Sequence, residues 1–454
     1  MKVGIIGLGL VGLAHAVCLA HKGFKVNGVD LNERRIHLIN NGCSPFKEPF
    51  LEDMLKETIN KTLHVSKEYE GLKDVNLVFI TVDTPTREDG TQDISNLEKA
   101  IKNLAAIWDK NREYRVIAVK STVLPGTTRR IANFFSDLVG EKNFKNFGFV
   151  ANPEFLREGN AVQDIFYPYR VVIGGINDES SKRTKDLWLR FYKIVGRVPP
   201  IFTMGLEEAE LVKYVSNTFL AMKVSFANTI AYLCEKLPGC DVQKVIEATS
   251  YDPRIGREYL RPGPGYGGPC LPKDVQAFIK FLRDLNVKSP LIEGVYETNE
   301  IQQQRIIEIL TKEIGNLKGK KIAILGLSFK AGTDDIRDSV SIKVIEKLLK
   351  LGSSVKVHDP LAMENAKLIL GNSVEYCNTI KEAVSNVNGI VVLTEWKDYE
   401  EIDPNLINRD TIIVDFRRIL RVEEFNKAGL KTHVIGLGSP LNYEVSKEHK
   451  LIME

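Results

Sequence analysis

Val3-Gly4-Ile5-Ile6-Gly7-Leu8-Gly9-Leu10-Val11-Gly12 is the stretch that decides how this chain begins to fold. A short β-branched run ends in a glycine-rich turn, and the turn opens a helical segment through Ala14–Lys22. The first glycine allows the tight turn, and the second lets backbone approach a pyrophosphate. The third lets helix and strand pack closely, and the helix N-terminus faces the phosphates. Asp30 closes the next apolar run, Lys25–Asp30, at about the ~20-residue spacing expected of a carboxylate that holds a ribose 2′-hydroxyl. Strand, glycines, helix and acid together predict a dinucleotide site. Asp30 favours NAD over NADP, because a carboxylate repels a 2′-phosphate. Arg35 has three open readings: it blurs that choice, stacks on the adenine, or lies exposed.

The rhythm continues outward. Further apolar runs at Leu77–Thr81, Val116–Lys120, Phe147–Ala151 and Arg170–Ile173 alternate with helical segments, which predicts βαβ units and a parallel sheet. Leu206 to about Leu237 then reads as one long helix, followed by helical stretches at Val242–Ala248, Lys273–Asp284 and Ser289–Ile314. The Gly- and Pro-rich segment Arg254–Pro272 lies between them as a loop. Alternation restarts with Lys321–Leu325, Ser354–His358, Gly389–Leu393 and Thr411–Asp415. The expected fold is α/β: a Rossmann-type parallel-sheet domain over 1–204, a central long-helix domain over 205–316, and a second Rossmann-like domain over 317–454. The second α/β part has only Gly326-Leu327-Ser328 after its first strand, so a second dinucleotide site is not expected there.

Composition narrows the partners. The 454 residues carry 62 basic and 59 acidic side chains, a net charge of +3, with 43% hydrophobic and 27% charged residues. No basic block or acidic tail favours nucleic acid or a membrane surface. The six cysteines, Cys18, Cys43, Cys234, Cys240, Cys270 and Cys377, form no CxxC pair and no zinc-ligand spacing with histidine, so no metal is expected. There is no signal-peptide pattern at the start and no uncharged run of about 18 apolar residues, which predicts a cytoplasmic protein.

Five segments concentrate reactive residue types. They are Lys120-Ser121-Thr122-Val123-Leu124-Pro125-Gly126-Thr127, Asn152-Pro153-Glu154-Phe155-Leu156-Arg157-Glu158-Gly159, the helical pair Lys213/Asn217, Gly265 to Asp274, and Phe329 to Arg337. Singly, each has a plain reading: a solvated lysine, surface glutamates, a small buried thiol. Cys270 is the least ordinary. Glycines precede it, Pro272 suits the first turn of a following helix, and a thiol ahead of a helix N-terminus near Lys273 has its thiolate favoured. Cys18 and Cys234, inside apolar helices, read as core.

Taken in order, these motifs resemble the UDP-glucose/GDP-mannose dehydrogenase family nearly end to end. The resemblance implies a four-electron oxidation of a sugar nucleotide's primary alcohol by two NAD in succession, through a thiohemiacetal and a thioester on Cys270. It implies Glu154 as the base of hydrolysis, Lys213 stabilising an oxyanion, Asn217 and Thr122 orienting water or substrate, and Asp274 relaying protons. Which of Lys213, Asp274 and a bound water takes the first proton stays open. Cofactor contacts are implied for Gly7, Gly9, Leu10, Val11, Gly12, Asp30, Arg35, Thr84, Ser121, Thr122, Glu158 and Arg337. Substrate contacts are implied for Glu154 with Phe155, Leu156 and Arg157, for Lys213 and Asn217, and for Tyr259, Gly265, Tyr266 and Gly267. Phe329, Lys330 and Arg417 complete that set, and Arg254 acts across a homodimer interface formed by the long helix.

Pro269 stands where UDP-glucose enzymes of the family carry Ser, Tyr266 replaces a common Phe, Asp83 replaces a smaller residue, and Pro262-Gly263-Pro264-Gly265 looks like the N-acetylhexosamine branch. UDP-glucose is the expected substrate, with a UDP-N-acetylhexosamine or GDP-mannose as alternatives. Two other readings are a two-electron β-hydroxyacid dehydrogenase, which needs neither Cys270 nor the second α/β part, and a non-catalytic nucleotide sensor. The sensor reading predicts erosion at the reactive positions, and Cys270, Glu154, Lys213 and Asn217 are all present.

Overall fold

The computed structural model describes residues 2–87, 89–109, 113–140 and 144–440. The chain divides into two compact units. One comprises the residues up to Asn217 together with Gln276–Lys288, and the other comprises Thr218–Val275 and the residues from Ser289 onward.

The first unit is built on eight strands: β1 (Lys2–Ile6), β2 (Lys25–Val29), β3 (Leu63–Ser66), β4 (Leu77–Ile80), β5 (Arg115–Val119), β6 (Phe147–Ala151), β7 (Val171–Gly175) and β8 (Ile201–Met204). They lie in the order β3-β2-β1-β4-β5-β6-β7-β8, the arrangement of a dinucleotide-binding sheet extended at one edge. β4, β5 and β6 are buried along their whole length, as expected of strands covered by helices on both faces. One core packs on each face, with Leu13, Val17 and Trp188 on one side and Ile101, Ile131 and Phe135 on the other.

The wholly parallel sheet expected from the sequence needs correction at one junction. β6 and β7 pair antiparallel, with Val150 opposite Gly175, and β8 runs parallel to β7. A parallel return needs a crossover that carries the chain back along a sheet face. The connection Asn152–Arg170 makes no such return, and the chain re-enters the sheet from the edge where β6 ended. That edge is the carboxyl end of the parallel strands, where open α/β sheets bind ligands.

The second unit holds β9 (Lys321–Leu325), β10 (Ser354–His358), β11 (Glu375–Tyr376), β12 (Gly389–Val392), β13 (Ile412–Asp415) and β14 (Lys431–Val434), all parallel, in the order β11-β10-β9-β12-β13-β14. This repeats the order of the first six strands of the other sheet. The likeness extends to single residues. Gly7 and Gly326 each turn the chain after the first strand at φ 90° and 95°. Asp30 accepts the Leu8 N–H at 2.6 Å, and Asp359 accepts the Leu327 N–H at 2.7 Å. In the second sheet, however, Ser328 replaces the middle glycine. Asp359 also accepts the Ser328 N–H and hydroxyl, the Trp396 indole and the N–H groups of Leu361 and Ala362.

The long helix spans Leu206–Lys236. The Gly/Pro-rich loop ends at Cys270, because a helix spans Leu271–Asp284; the following helix is Pro290–Ile314. No described helix is long and apolar enough to cross a membrane.

Candidate active site

The glycine turn of the first unit has the form of a phosphate cradle. Gly7 adopts φ 90°, and a Cβ on Gly12 would stand 1.9 Å from the Gly7 carbonyl. A Cβ on Gly9 would meet nothing within 4 Å. The helix Leu10–His21 starts with no side-chain cap and no acid in its first turn, which leaves its first N–H groups and the positive end of its dipole for an anion. At the end of β2, Asp30 is 7% exposed. It takes the Leu8 N–H on Oδ2, the Asn32 N–H on Oδ1 at 2.8 Å, and the Arg35 guanidinium at 2.9 Å. Arg35 is therefore half-buried and not free to compete with Asp30; it is that carboxylate's ion-pair partner and lies over the Phe46 ring. The set fits NAD: open backbone for the pyrophosphate, and an acid for the ribose.

Two loops at the carboxyl edge bring in reactive groups. Thr84 Oγ1 donates to the Thr122 carbonyl at 2.7 Å, and Ser121 Oγ donates to the Val82 carbonyl at 2.6 Å. Gln92 Nε2 donates to the same Thr122 carbonyl and to the Tyr214 hydroxyl, tying this loop to the long helix. Glu210, also on that helix and buried, accepts the Gly126 and Thr128 N–H groups at 2.6 and 2.7 Å and closes the start of the helix Thr127–Val139. Burial pushes its carboxyl up to about 7 against those hydrogen bonds.

The second loop leaves β6. Glu154 and Lys213 form an ion pair at 2.9 Å, with side chains 9% and 5% exposed. Lys213 also donates to the Glu154 carbonyl at 2.8 Å, and the Leu156 N–H reaches the other carboxylate oxygen at 2.6 Å. Burial raises the Glu154 carboxyl, but the Lys213 ammonium, these hydrogen bonds and Lys120 together hold it below the usual carboxylate range. Asn217, one turn beyond Lys213, is buried too. Arg170 stacks 4.0 Å over the Phe155 ring and donates to Ser216 on the long helix. Arg157 is turned to Asp164 by a two-pronged contact, with Nε at 3.0 Å and a terminal nitrogen at 2.6 Å. Glu158 is half-buried beside it.

The second unit gathers the remaining candidates around its own sheet's carboxyl edge. The loop before Cys270 is bound from below: Gly263 N–H donates to Asn228 Oδ1, while Asn299 accepts from Tyr266 N–H and donates to its carbonyl. Gly268 sits at φ 85°, where a Cβ would come within 2.6 Å of the Phe329 ring. Gly267 is pressed as closely on the Asp338 carbonyl, and Gly265 on Asn299. Arg417 Nε donates to the Leu393 carbonyl at 2.6 Å, and its head lies 3.5 Å from the Phe329 carbonyl. Lys330 lies over the Phe329 ring.

Cys270 is exposed and immediately precedes the helix Leu271–Asp284, its carbonyl accepting the Asp274 N–H at 3.0 Å. Asp274 is 1% exposed and pairs with Lys273 at 2.5 Å. Arg337 is held by Asp335, and Arg254, 87% exposed, by Asp252. Tyr259 adopts a left-handed φ of 63°, a strained state for a non-glycine residue.

A cofactor cradle with its acid, an ion-paired carboxylate at the strand ends and an exposed thiol heading a helix define an NAD-dependent dehydrogenase. The comparisons agree. The NAD-binding, central and UDP-binding domain models of the UDP-glucose/GDP-mannose dehydrogenase family match residues 1–192, 207–301 and 323–422. The chain is 35% identical to the UDP-glucose 6-dehydrogenase TuaD of Bacillus subtilis over 440 residues, 96% of this chain and 93% of that protein. Among solved structures it resembles a UDP-glucose dehydrogenase from Pyrobaculum islandicum at TM-score 0.87 and 34% identity, with 96% of each chain covered. It also resembles a UDP-D-ManNAc dehydrogenase from Pyrococcus horikoshii at 0.84 and 28%, covering 96% of this chain and 99% of that one. The chain belongs to the UDP-glucose/GDP-mannose dehydrogenase family, as its motifs predicted, and NAD is its cofactor.

Sequence reading passed over Trp188 and Glu210, and it quoted Lys120, Asn152 and Arg170 without giving them a role. Lys120 had a visible signal, a lysine closing an otherwise apolar strand. Among the described residues, no group of three or more His, Cys, Asp or Glu side chains is placed to hold a metal.

Proposed function

We propose that this enzyme oxidises the C6 alcohol of UDP-glucose to the carboxylate of UDP-glucuronate. The observation that carries the reading is Cys270, an exposed thiol heading the helix Leu271–Asp284 behind a glycine loop pinned to its own unit. NAD held by the Gly7–Gly12 turn and Asp30 would supply the hydride acceptor for each of two oxidations. The chain's residues do the rest. A base takes the C6 hydroxyl proton as the first hydride leaves, and the Cys270 sulfur adds to the resulting aldehyde. The tetrahedral thiohemiacetal gives up the second hydride and a proton and becomes a thioester. Glu154, ionised and buried, takes a proton from water as it attacks the acyl carbon, and the thiolate departs. One water and two NAD are consumed, and one carboxylate, two NADH and three protons are released. Lys213 steadies the oxyanion, Asn217 and Thr122 orient water and substrate, and Asp274 with Lys273 relays protons at Cys270.

The chain is read as three functional parts, 1–204 for NAD, 205–316 for assembly and the Cys270 loop, and 317–454 for the sugar nucleotide. The spans of the three matching family models support that division. It works as a homodimer or larger homo-oligomer, with Arg254 crossing to the neighbouring subunit. In support, Leu211, Val215, Phe219, Phe226 and Leu233 are 38–55% exposed on the long helix at spacings of four and seven, one apolar stripe. Six cysteines, none in a disulfide, support a cytoplasmic setting.

NADH formation measured across UDP-glucose, UDP-GlcNAc, UDP-ManNAc and GDP-mannose tests the substrate. UDP-glucose should give the highest kcat/KM by at least about tenfold, roughly 1.4 kcal/mol of discrimination, with two NADH per molecule. A higher value for any of the other three would refute the assignment.

A further inference from the structure

Behind Glu154 lies a second buried cation. Lys120 directly follows β5 and is 4% exposed. Its ammonium has two oxygen partners, the carbonyl of Asn152 at 3.3 Å and the side-chain oxygen of the same residue at 3.2 Å. Its flanks are aromatic, with the Trp188 ring centroid at 5.2 Å and that of Phe79 at 5.6 Å. Asn152 is wholly buried and fixed on every side. Its N–H donates to Val119, its amide nitrogen to the Val172 carbonyl at 2.6 Å, and its side-chain oxygen accepts the Trp188 indole at 3.1 Å. Only Pro153 separates Asn152 from Glu154, so whatever holds Asn152 sets the direction in which Glu154 leaves the sheet.

Among the described residues, no carboxylate hydrogen-bonds this ammonium. A buried charge held by neutral oxygens alone, with no opposite charge in contact, is disfavoured, and a methionine could fill the same apolar slot without that penalty. Packing alone therefore does not account for a lysine there. The charged and titratable groups facing it are His15 from the first helix, Glu154 from the β6 loop and Lys213 from the long helix. Burial, and after it Lys120, keeps His15 well below its ordinary value and so neutral near pH 7. Glu154 is then the anion that answers Lys120, with Lys213 on its other side.

We propose that Lys120 is a positioning residue for Glu154, clamping Asn152 and supplying the second positive charge that keeps the Glu154 carboxylate ionised during thioester hydrolysis. The inference rests on the reading of Glu154 as the hydrolytic base. Burial, eased by Glu154 and reinforced by Lys213, brings the Lys120 ammonium down to about 7. Its field at Glu154 is therefore present below about pH 7 and fades above it, on the side where Glu154 is ionised in any case.

The test uses the full-length enzyme and follows hydrolysis of the acyl adduct against pH. Lys120→Gln keeps a donor for Asn152 and removes the charge. Its acid limb should move up by roughly half to one pH unit, as expected on losing a nearby opposite charge, with KM for NAD and UDP-glucose within about twofold. Trp188→Phe takes a donor from Asn152 but leaves the charge, and its acid limb should stay in place. A folded Lys120→Gln enzyme with the wild-type limb overturns the proposal.

A reciprocal measurement needs no Lys120 variant. Lysine 15N NMR, assigned with Lys120→Arg, should show Lys120 titrating at least about half a pH unit lower in Glu154→Gln than in the wild type, because coupling between two sites acts equally in both directions. An unchanged Lys120 titration overturns the coupling even if Lys120→Gln fails to fold. Build-up of an adduct on Glu154→Gln is a separate reading: its absence removes Glu154 as the base, whereas adduct build-up with an unmoved Lys120→Gln limb removes only the role of Lys120.

Discussion

Asp30 holds two N–H groups and the Arg35 guanidinium at once, and that sharing makes cofactor choice a property of a pair. While the carboxylate stands, it repels a 2′-phosphate and occupies Arg35. Asp30→Ser keeps an acceptor for the Leu8 N–H, removes the charge and releases Arg35. The ratio of kcat/KM for NAD to that for NADP should fall by at least about tenfold, or roughly 1.4 kcal/mol; an unchanged ratio would mean that Asp30 does not face the ribose. Asp30 was legible because its spacing from the glycines is a local pattern. The Arg35 contact was not, since three rotatable placements of one side chain look alike in sequence. Lys120 could be picked out as the lysine after an apolar strand, but its burial could not, since that depends on Trp188 and Phe79 closing over it.

At the scale of elements, strongly periodic segments could be read and orientations could not. The long helix was expected over Leu206 to about Leu237 and spans Leu206–Lys236, because glycine and proline are absent until Pro238. β7 was located but not oriented: a strand buried on both faces carries the same residues whichever way it runs. β3, β8, β11 and β14 were missed because they are edge strands with partly exposed residues and carry no continuous apolar run. The long helix carries a testable consequence. Phe219 and Phe226 are 55% and 52% exposed, and an apolar stripe of that kind marks an interface. If the chain assembles as proposed above, Phe219→Asp combined with Phe226→Asp should lower its mass to that of a monomer in light scattering at micromolar concentration while the fold, followed by circular dichroism, is kept. An unchanged mass would place the interface elsewhere.

At the scale of the molecule, one design occurs twice. Each sheet places its first-strand glycine turn beside an aspartate that ends the second strand, yet only the first leaves its helix start without a side-chain cap. In the second, Ser339 caps the helix Val340–Lys350 with its own hydroxyl, and Asp359 is filled by donors of its own chain. The second sheet therefore lacks the middle glycine and the uncapped helix start of the first, the features of its dinucleotide cradle. What sequence could not convey was the saturation of Asp359, which depends on Trp396, 37 residues away in the chain.

The central claim is that the carboxylate is made through Cys270, and the mass of the protein itself tests it most directly. Glu154→Gln, mixed with UDP-glucose and NAD and quenched within one turnover, should gain the mass of the bound uronyl group. The same variant carrying Cys270→Ala as well should gain none, and Cys270→Ala alone should make almost no uronate. A Cys270→Ala enzyme that still turns UDP-glucose into the acid, with two NADH per molecule, would contradict the account.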